Sequence, residues 1–179
     1  MLLRTLITAA FAAVVPAVAS AEVRLTDFNG EWRGAGQDRD SPLQSLQDTS
    51  CQNAVRATPD RIRIEMTCEH KSGVRKIVRL NARFEGNQFA GRINQRKTQP
   101  GRDDEVIGGT LSGNKTDGAA RLKVDWKGAT PTTTVDLKLD SPTSYTMKVT
   151  ALAITIMDVT FTKTSDRPLQ RKPRERRQR

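Results

Sequence analysis

Apolar and charged residues alternate one for one through much of this chain, and this pattern limits the possible fold most strongly. From Arg61 to Cys68 the residues Ile62, Ile64 and Met66 alternate with charged neighbours, and the same period recurs near residues 74–84, 120–126 and 135–139. Successive side chains of a β-strand point to opposite faces. The pattern therefore predicts strands with one dry face and one wet face, which favours antiparallel pairing.

The predicted strands follow one another with short turns, as in an up-and-down meander. We expect an all-β, antiparallel meander of about 8–9 strands that closes into a barrel, because closure removes unpaired strand edges. A two-sheet sandwich is the alternative. Segment 38–49 is predicted to form a short helix or a lid loop. The strands are expected near residues 30–36, 50–58, 61–68, 74–84, 89–97, 105–112, 119–126, 132–140 and 145–162.

Two hairpins test this pairing from the sequence alone. A two-residue turn at Gly86-Asn87 places Phe84 opposite Phe89, and a turn at Pro59-Asp60 places Cys51 opposite Cys68. Opposed residues on antiparallel strands are close enough for a disulfide. We therefore predict a structural Cys51–Cys68 disulfide, with no redox role because the chain has no C-x-x-C motif.

The last predicted strand, 145–162, breaks the alternation. The residues predicted to face inward are apolar along the strand. Leu152, Ile154 and Ile156 make the opposite face apolar as well. Either a bulge divides the segment into two strands, or its outer face is covered by 38–49 or by a second subunit. A homodimer through Leu152, Ile154 and Ile156 is one form of the last alternative.

The first 21 residues have the features of a signal peptide. Arg4 precedes an apolar run from Leu6 to Val15, and Ala19-Ser20-Ala21 is a small-residue cleavage site. A membrane anchor is the alternative, but Pro16 interrupts the run before the ~20 residues that a spanning helix needs. We predict a signal peptide at 1–21, a barrel domain at 22–165, a disordered basic tail at 166–179, and a periplasmic or secreted location.

The chain is strongly basic, with 30 Lys and Arg residues against 20 Asp and Glu residues, a formal net charge of +10. Arginine suits the capture of phosphate or carboxylate groups, so we expect an anionic membrane surface, lipopolysaccharide or an acidic glycan as partner. A solvated sheet face is the alternative for the strand arginines, and the scarcity of aromatic residues argues against nucleic acid. The candidate anion-binding residues are Arg61, Arg63, Arg75, Arg79, Arg83, Arg92 and Arg96 on the strands, and Arg171, Lys172, Arg174, Arg176 and Arg177 in the tail.

No residue pattern in the chain indicates catalysis. The single histidine, His70, is expected to be a solvated turn residue, and a hydrolytic triad needs a histidine between a carboxylate and a nucleophile. The glycine-rich segment 108–116 is predicted to be a hairpin with Gly113-Asn114 in its turn. We therefore predict no catalytic residue, no metal site and no cofactor.

The motif Gly30-Glu31-Trp32 resembles the G-x-W signature of the calycin superfamily, which includes lipocalins and avidins. The resemblance implies an eight- or ten-stranded barrel in which Gly30 and Trp32 plug one end and a late basic residue, Lys163 or Arg167, packs over the tryptophan. Continued through Gly34 and Gly36, the motif is also similar to nitrobindin-type haem proteins. Those proteins bind iron through a late histidine, which this chain lacks after His70, so haem is not expected. The chain also resembles small exported proteins of rhizobial-type bacteria.

Together these features predict an exported, non-enzymatic barrel that binds a ligand or contacts anionic surfaces. A periplasmic inhibitor or macromolecular interaction module is one alternative, and a carrier of apolar, lipid-type small molecules is another. The interior decides whether a carrier is feasible. Small residues predicted to point inward at Ala82, Gly91 and Gly108 would leave space for a ligand.

Overall fold

Ten antiparallel strands, each paired with its neighbours along the chain, form a closed barrel in the computed structural model. The structure describes residues 24–116, 118–128 and 131–167, so the predicted signal peptide and most of the predicted tail lie outside the described residues. A short 3₁₀ helix, Leu25–Phe28, precedes the barrel. The strands are β1 Gly30–Asp38, β2 Gln47–Thr58, β3 Arg61–His70, β4 Arg75–Glu85, β5 Gln88–Thr98, β6 Glu105–Thr116, β7 Ala119–Trp126, β8 Thr133–Ser141, β9 Ser144–Ala151 and β10 Ile154–Ser165.

The barrel closes where the first strand pairs with the last. β1 lies antiparallel to β10, with Gly34 opposite Phe161 and Gly36 opposite Val159. The two glycines permit this close approach, because a Cβ atom on Gly36 would lie 2.1 Å from the carbonyl oxygen of Asp158. The predicted meander and barrel are confirmed, and the sandwich alternative is wrong.

The strand count is ten, higher than the predicted 8–9, because residues 145–162 form two strands. The chain reverses at Leu152 and Ala153, which have positive φ angles of 51° and 63°. A bulge between Thr155 and Met157 then shifts the pairing with β9. Ile156, at this bulge, lines the interior of the barrel. The turn and the bulge together explain why this segment is apolar in both phases.

Both hairpins tested from the sequence have the predicted register. Phe84 lies opposite Phe89, with ring centroids 5.2 Å apart. Cys51 lies opposite Cys68 and is joined to it by a disulfide with a Cα–Cα distance of 4.1 Å. The predicted disulfide is confirmed, and it links β2 to β3 on the inner side of the barrel.

Two predictions about the glycine-rich segment are wrong. Gly113 is not in a turn but within β6, where it pairs with Phe89 on one side and Leu122 on the other. Phe89 and Leu122 face the interior on the two strands that flank Gly113, so β6 has to continue past Gly113 to pair with both. The chain therefore leaves β6 only after Thr116. Gly108 points outward, because its Cβ position faces the side chain of Asn94, and Gly109 occupies the inner face beside Ile93.

Aromatic side chains close one end of the barrel. Tyr145 stacks on Phe161 at 4.6 Å and meets Trp32 edge-on at 4.8 Å, and Phe28 of the 3₁₀ helix packs on the same tyrosine at 5.5 Å. The indole N–H of Trp32 donates to the carbonyl oxygen of Phe28. The ammonium of Lys163 lies 4.9 Å from the centre of the Trp32 ring, the contact that the sequence resemblance implies. We call this end the aromatic plug, and its Trp32, Tyr145 and Phe161 side chains are at most 1% exposed.

Candidate functional site

The other half of the barrel is hollow. A partly open cavity of about 390 Å³ extends from the middle of the barrel to the end where β1 finishes and β2 begins. Its wall is mainly aliphatic and includes Ile64, Met66, Val78, Leu80, Ile107, Leu122, Val135, Leu137, Met147 and Val149, with Trp126 and Cys68 beside them. The sequence left open whether the interior was packed or hollow, and the structure shows a cavity.

The distribution of aromatic residues explains why only one half is filled. Aromatic side chains bury about 150–250 Å² each, and four of them occupy the plug. In the hollow half the inward positions carry aliphatic side chains that are too short to meet across the barrel, and Trp126 stands near the rim with its indole N–H donating to Thr133. The cavity therefore exists because the large aromatic side chains lie at the plugged end of the barrel, and mainly aliphatic side chains line the other end.

The connection between β1 and β2 bounds the open end of the cavity, which we call the mouth. Ser41 and Pro42 of this connection line the cavity. The backbone N–H of Arg39 donates to the carbonyl oxygen of Ile156, and its guanidinium donates to the carbonyl oxygen of Gln44. These bonds tie the connection to β10 and to itself. Of the two predicted forms of segment 38–49, the structure has a loop over the mouth and no helix.

A buried ionic cluster lies at the mouth, around Asp38. This residue is only 1% exposed, and its Oδ2 atom lies 2.7 Å from Nζ of Lys76 and 3.0 Å from Nε2 of His70. Lys76 is also buried, and its ammonium donates to the carbonyl oxygen of Arg39. Burying an ion is costly unless it is paired, so the three side chains depend on one another.

Asp40 extends the cluster toward the opposite wall. Its carboxylate lies 2.9 Å from Nζ of Lys76 and 2.8 Å from Nζ of Lys97. Burial raises the pKa of Asp40, but the hydrogen bonds and charges of Lys97 and Lys76 outweigh this effect and hold the pKa below its ordinary value. The charged side chains that line the cavity are three carboxylates (Asp38, Asp40 and Glu105) and three cations (Arg39, Lys76 and Lys97), so the mouth is strongly polar with little net charge.

One oxygen of this cluster has no partner. Oδ1 of Asp38 is buried and accepts no hydrogen bond from any described residue, although Oδ2 of the same carboxylate accepts two. A buried acceptor without a donor costs about 1–3 kcal/mol. Nε of Arg39 at the mouth and Oδ1 of Asn53 near the plug are likewise buried without a partner, and a ligand group that donates a hydrogen bond at the mouth would satisfy Asp38.

The prediction for His70 is wrong. It is not a solvated turn residue but the last residue of β3, only 7% exposed and bonded to Asp38. The cluster was not predicted from the sequence, although a signal was present. His70 continues the inward phase of Ile62, Ile64, Met66 and Cys68, and Lys76 stands in phase between the inward Val74 and Val78. A charged residue in the dry phase of a strand predicts a buried partner.

The seven strand arginines lie on the outer wall, but they form two groups. Arg75, Arg79 and Arg96 face carboxylates, with N–O distances of 3.3 Å to Glu69, 3.0 Å to Glu65 and 3.9 Å to Asp104. The other four lie nearer the plugged end: Arg61 is directly opposite Arg83, and Arg63 and Arg92 flank Asn81. Among the described residues these four form no salt bridge. The tail residues Arg171, Lys172, Arg174, Arg176 and Arg177 lie outside the described residues.

Within residues 24–167 as described, no three His, Cys, Asp or Glu side chains are placed to hold a metal ion. The part of the chain that the structure describes has no helix of the length and apolarity needed to cross a membrane. Neither a protein-family model nor any curated protein matches this chain.

Proposed function

We propose that this protein is a non-enzymatic barrel that binds an apolar small molecule with a polar end group. The observation that carries the proposal is the cavity of about 390 Å³ with its aliphatic wall and ionic mouth. Ligand pockets of proteins measure about 300–1,000 Å³ and combine apolar walls with a few placed polar groups. An apolar chain fits the wall, and a polar end group fits the Asp38–Lys76 cluster.

The compartment and the barrel type are part of the same proposal. A disulfide forms in oxidising compartments, so Cys51–Cys68 supports export, in agreement with the signal peptide predicted at 1–21. The plug formed by Trp32 and Lys163 supports a calycin-like barrel. In this proposal the plugged end stabilises the fold and the hollow end binds the ligand.

Trp126 provides the readout for a test. It lines the cavity, so ligand binding should change its fluorescence. Linear alcohols of increasing length should bind with increasing affinity until the cavity is full, because each buried methylene contributes roughly 0.8 kcal/mol and two of them change the affinity about tenfold. Titration of delipidated protein with this series measures the effect directly.

Two variants make this test specific. Val78→Phe places a larger side chain in the cavity wall and should weaken the longer alcohols selectively. Trp126→Phe should abolish the fluorescence change, while native mass spectrometry still detects the bound alcohol. Affinities that are independent of chain length, or unaffected by Val78→Phe, would refute ligand binding in the cavity.

A second candidate function is contact with an anionic surface through the four arginines nearest the plug. Arg61 and Arg83 stand directly opposite each other with the Asp60 carboxylate near both, and an acidic glycan or lipopolysaccharide phosphate would relieve the repulsion that this one carboxylate leaves. Arg63→Gln with Arg83→Gln should weaken binding to lipopolysaccharide at low salt. The matched control is Arg75→Gln with Arg79→Gln, which removes two arginines that already face carboxylates. Equal losses in both pairs would indicate only an effect of total charge.

A further inference from the structure

The exposed large apolar residues of the barrel are concentrated at the mouth. Among the described residues four such side chains are exposed, and three of them lie on two neighbouring tips: Leu43 is 97% exposed, Leu152 71% and Ile154 39%. Leu43 belongs to the β1–β2 connection, and the other two belong to the β9–β10 hairpin. The tips are adjacent because β1 pairs with β10 and Arg39 bonds to Ile156.

Both tips lack charged residues, in a chain of which 28% is charged. The connection has none from Ser41 to Gln47, and the hairpin has none from Val149 to Met157. Lysine and arginine are costly at depth in a bilayer, whereas an aqueous surface favours them. Two neighbouring uncharged tips at one rim of a basic barrel therefore match an apolar environment.

The hairpin tip also has an unfavourable backbone for its sequence. Leu152 and Ala153 both have positive φ angles, a conformation that two-residue hairpins normally give to Asn and Gly. Leu152 thus has a backbone conformation that leucine disfavours, and its apolar side chain is exposed to water. A strained and exposed apolar residue points to a function of its side chain.

We infer that the two tips dock the mouth of the barrel onto a lipid bilayer, with Leu43, Leu152 and Ile154 inserted among the lipids. The cavity begins between these tips, since Ser41, Pro42 and Ile156 line it. Docking would join the cavity to the hydrocarbon phase, so an apolar ligand could pass between them without crossing water. This step goes beyond ligand binding in the cavity and concerns a separate surface.

A bilayer explains these tips better than a second copy of the chain. A stable protein interface needs about 20–30 residues on each side, whereas here three exposed apolar side chains stand on two separate tips. Separate tips can insert independently into a fluid surface, and the energy of such insertion scales with the apolar area buried. The homodimer predicted through Leu152, Ile154 and Ile156 remains as an outcome of the test.

The test measures sedimentation with vesicles of phosphatidylcholine alone, at low and high salt. The protein is used without residues 1–21, since the ten strands of the closed barrel that the structure describes lie between Gly30 and Ser165. We expect binding that persists at high salt, because insertion is apolar, and that falls at least about tenfold in Leu43→Ser with Leu152→Asn. Leu152→Asn suits a positive φ angle, so it should leave the barrel as stable as before or more stable. Loss of binding would then not come from unfolding.

Two control variants should keep their binding to the vesicles. Ala153→Gly relieves the backbone of the same turn but keeps Leu152, so binding should be retained. Val106→Ser removes the fourth exposed apolar residue, which is 63% exposed but stands on β6 across the barrel, and it should have no effect.

Three results would overturn the inference. The first is no binding to phosphatidylcholine. The second is binding only to anionic vesicles that salt abolishes and the double variant does not change, which would indicate the arginines or the tail. The third is a dimer in light scattering that Leu152→Asn dissociates, which would indicate a second copy. None of these results alters the alcohol titration of the cavity, so the two proposals fail independently.

Discussion

The ammonium of Lys76 lies 2.7 Å from a carboxylate oxygen of Asp38, and both side chains are almost completely buried. Removing Lys76 leaves the buried Asp38 carboxylate with His70 alone beside it, and breaking a buried ion pair costs about 3–5 kcal/mol. We expect Lys76→Met to lower the free energy of unfolding by about this amount in urea denaturation. The double change Lys76→Met with Asp38→Asn should recover part of the loss, because residue 38 then carries no buried charge and Asp40 keeps Lys97 as its partner. If the double variant is less stable than Lys76→Met, the pair is not the source of the effect.

The disulfide between Cys51 and Cys68 should contribute measurably to stability. It closes a loop with a sequence separation of 17 residues, for which the chain-entropy estimate is about 3 kcal/mol. We expect Cys51→Ala with Cys68→Ala to lower the free energy of unfolding by about this value. Wild-type protein denatured in the presence of a reductant should match the variant, and a difference between them would show that the substitutions disturb packing.

Acid should weaken the mouth of the barrel through Asp40. Its pKa is held below the ordinary value of about 4 in the folded state, so the unfolded chain binds the proton more readily. The stabilisation is therefore complete above about pH 4 and is lost as the pH falls through the folded-state pKa. Asp40→Asn should flatten the dependence of stability on pH below about 4. An unchanged acid limb in this variant would assign the effect to other carboxylates.

The only tyrosine of the chain should resist ionisation. Burial raises the pKa of Tyr145, and this effect outweighs the hydrogen bond that it accepts from Asn53. The unfolded state releases the phenolic proton first, so this residue destabilises the fold as the pH rises above about 10. Phenolate absorbance should therefore appear only together with unfolding, measured in parallel by circular dichroism. Phenolate formation in the folded protein would contradict the buried position.

Lys163 should stabilise the aromatic plug by two contacts. Its ammonium lies over Trp32 and donates to the carbonyl oxygen of Asp27 at 2.9 Å. A cation–π contact and a hydrogen bond are each worth about 1 kcal/mol. Lys163→Met should lower the free energy of unfolding by about 2 kcal/mol and change the fluorescence of Trp32 in a Trp126→Phe background. Lys163→Arg, which keeps the charge, should recover part of the stability.

The sequence predicted the elements in which local pattern and turn chemistry agree. Phe84 and Phe89 stand at equal distances from a turn made of residues that suit it, and the same holds for Cys51 and Cys68. The position of each turn therefore determined the register of its two strands. The sequence allowed a division of 145–162 into two strands, but it did not predict the reversal at Leu152-Ala153, because leucine and alanine carry no turn signal. The Asp38 cluster was not predicted either, since its members come from four strands and one loop, and their proximity depends on barrel closure. The strand arginines were placed on the correct face, but their pairing with Glu65, Glu69 and Asp104 depends on register.

The seam between β1 and β10 has a consequence for how the chain is completed. Residues Gly34 and Gly36, in the first strand of the barrel, can only find their partners once Phe161 and Val159 have been synthesised and released. Until then both margins of the growing sheet remain open to pairing with other chains. A molecule cut short before Ile154 would keep those margins permanently, so truncation of this protein should produce aggregates instead of a smaller functional barrel.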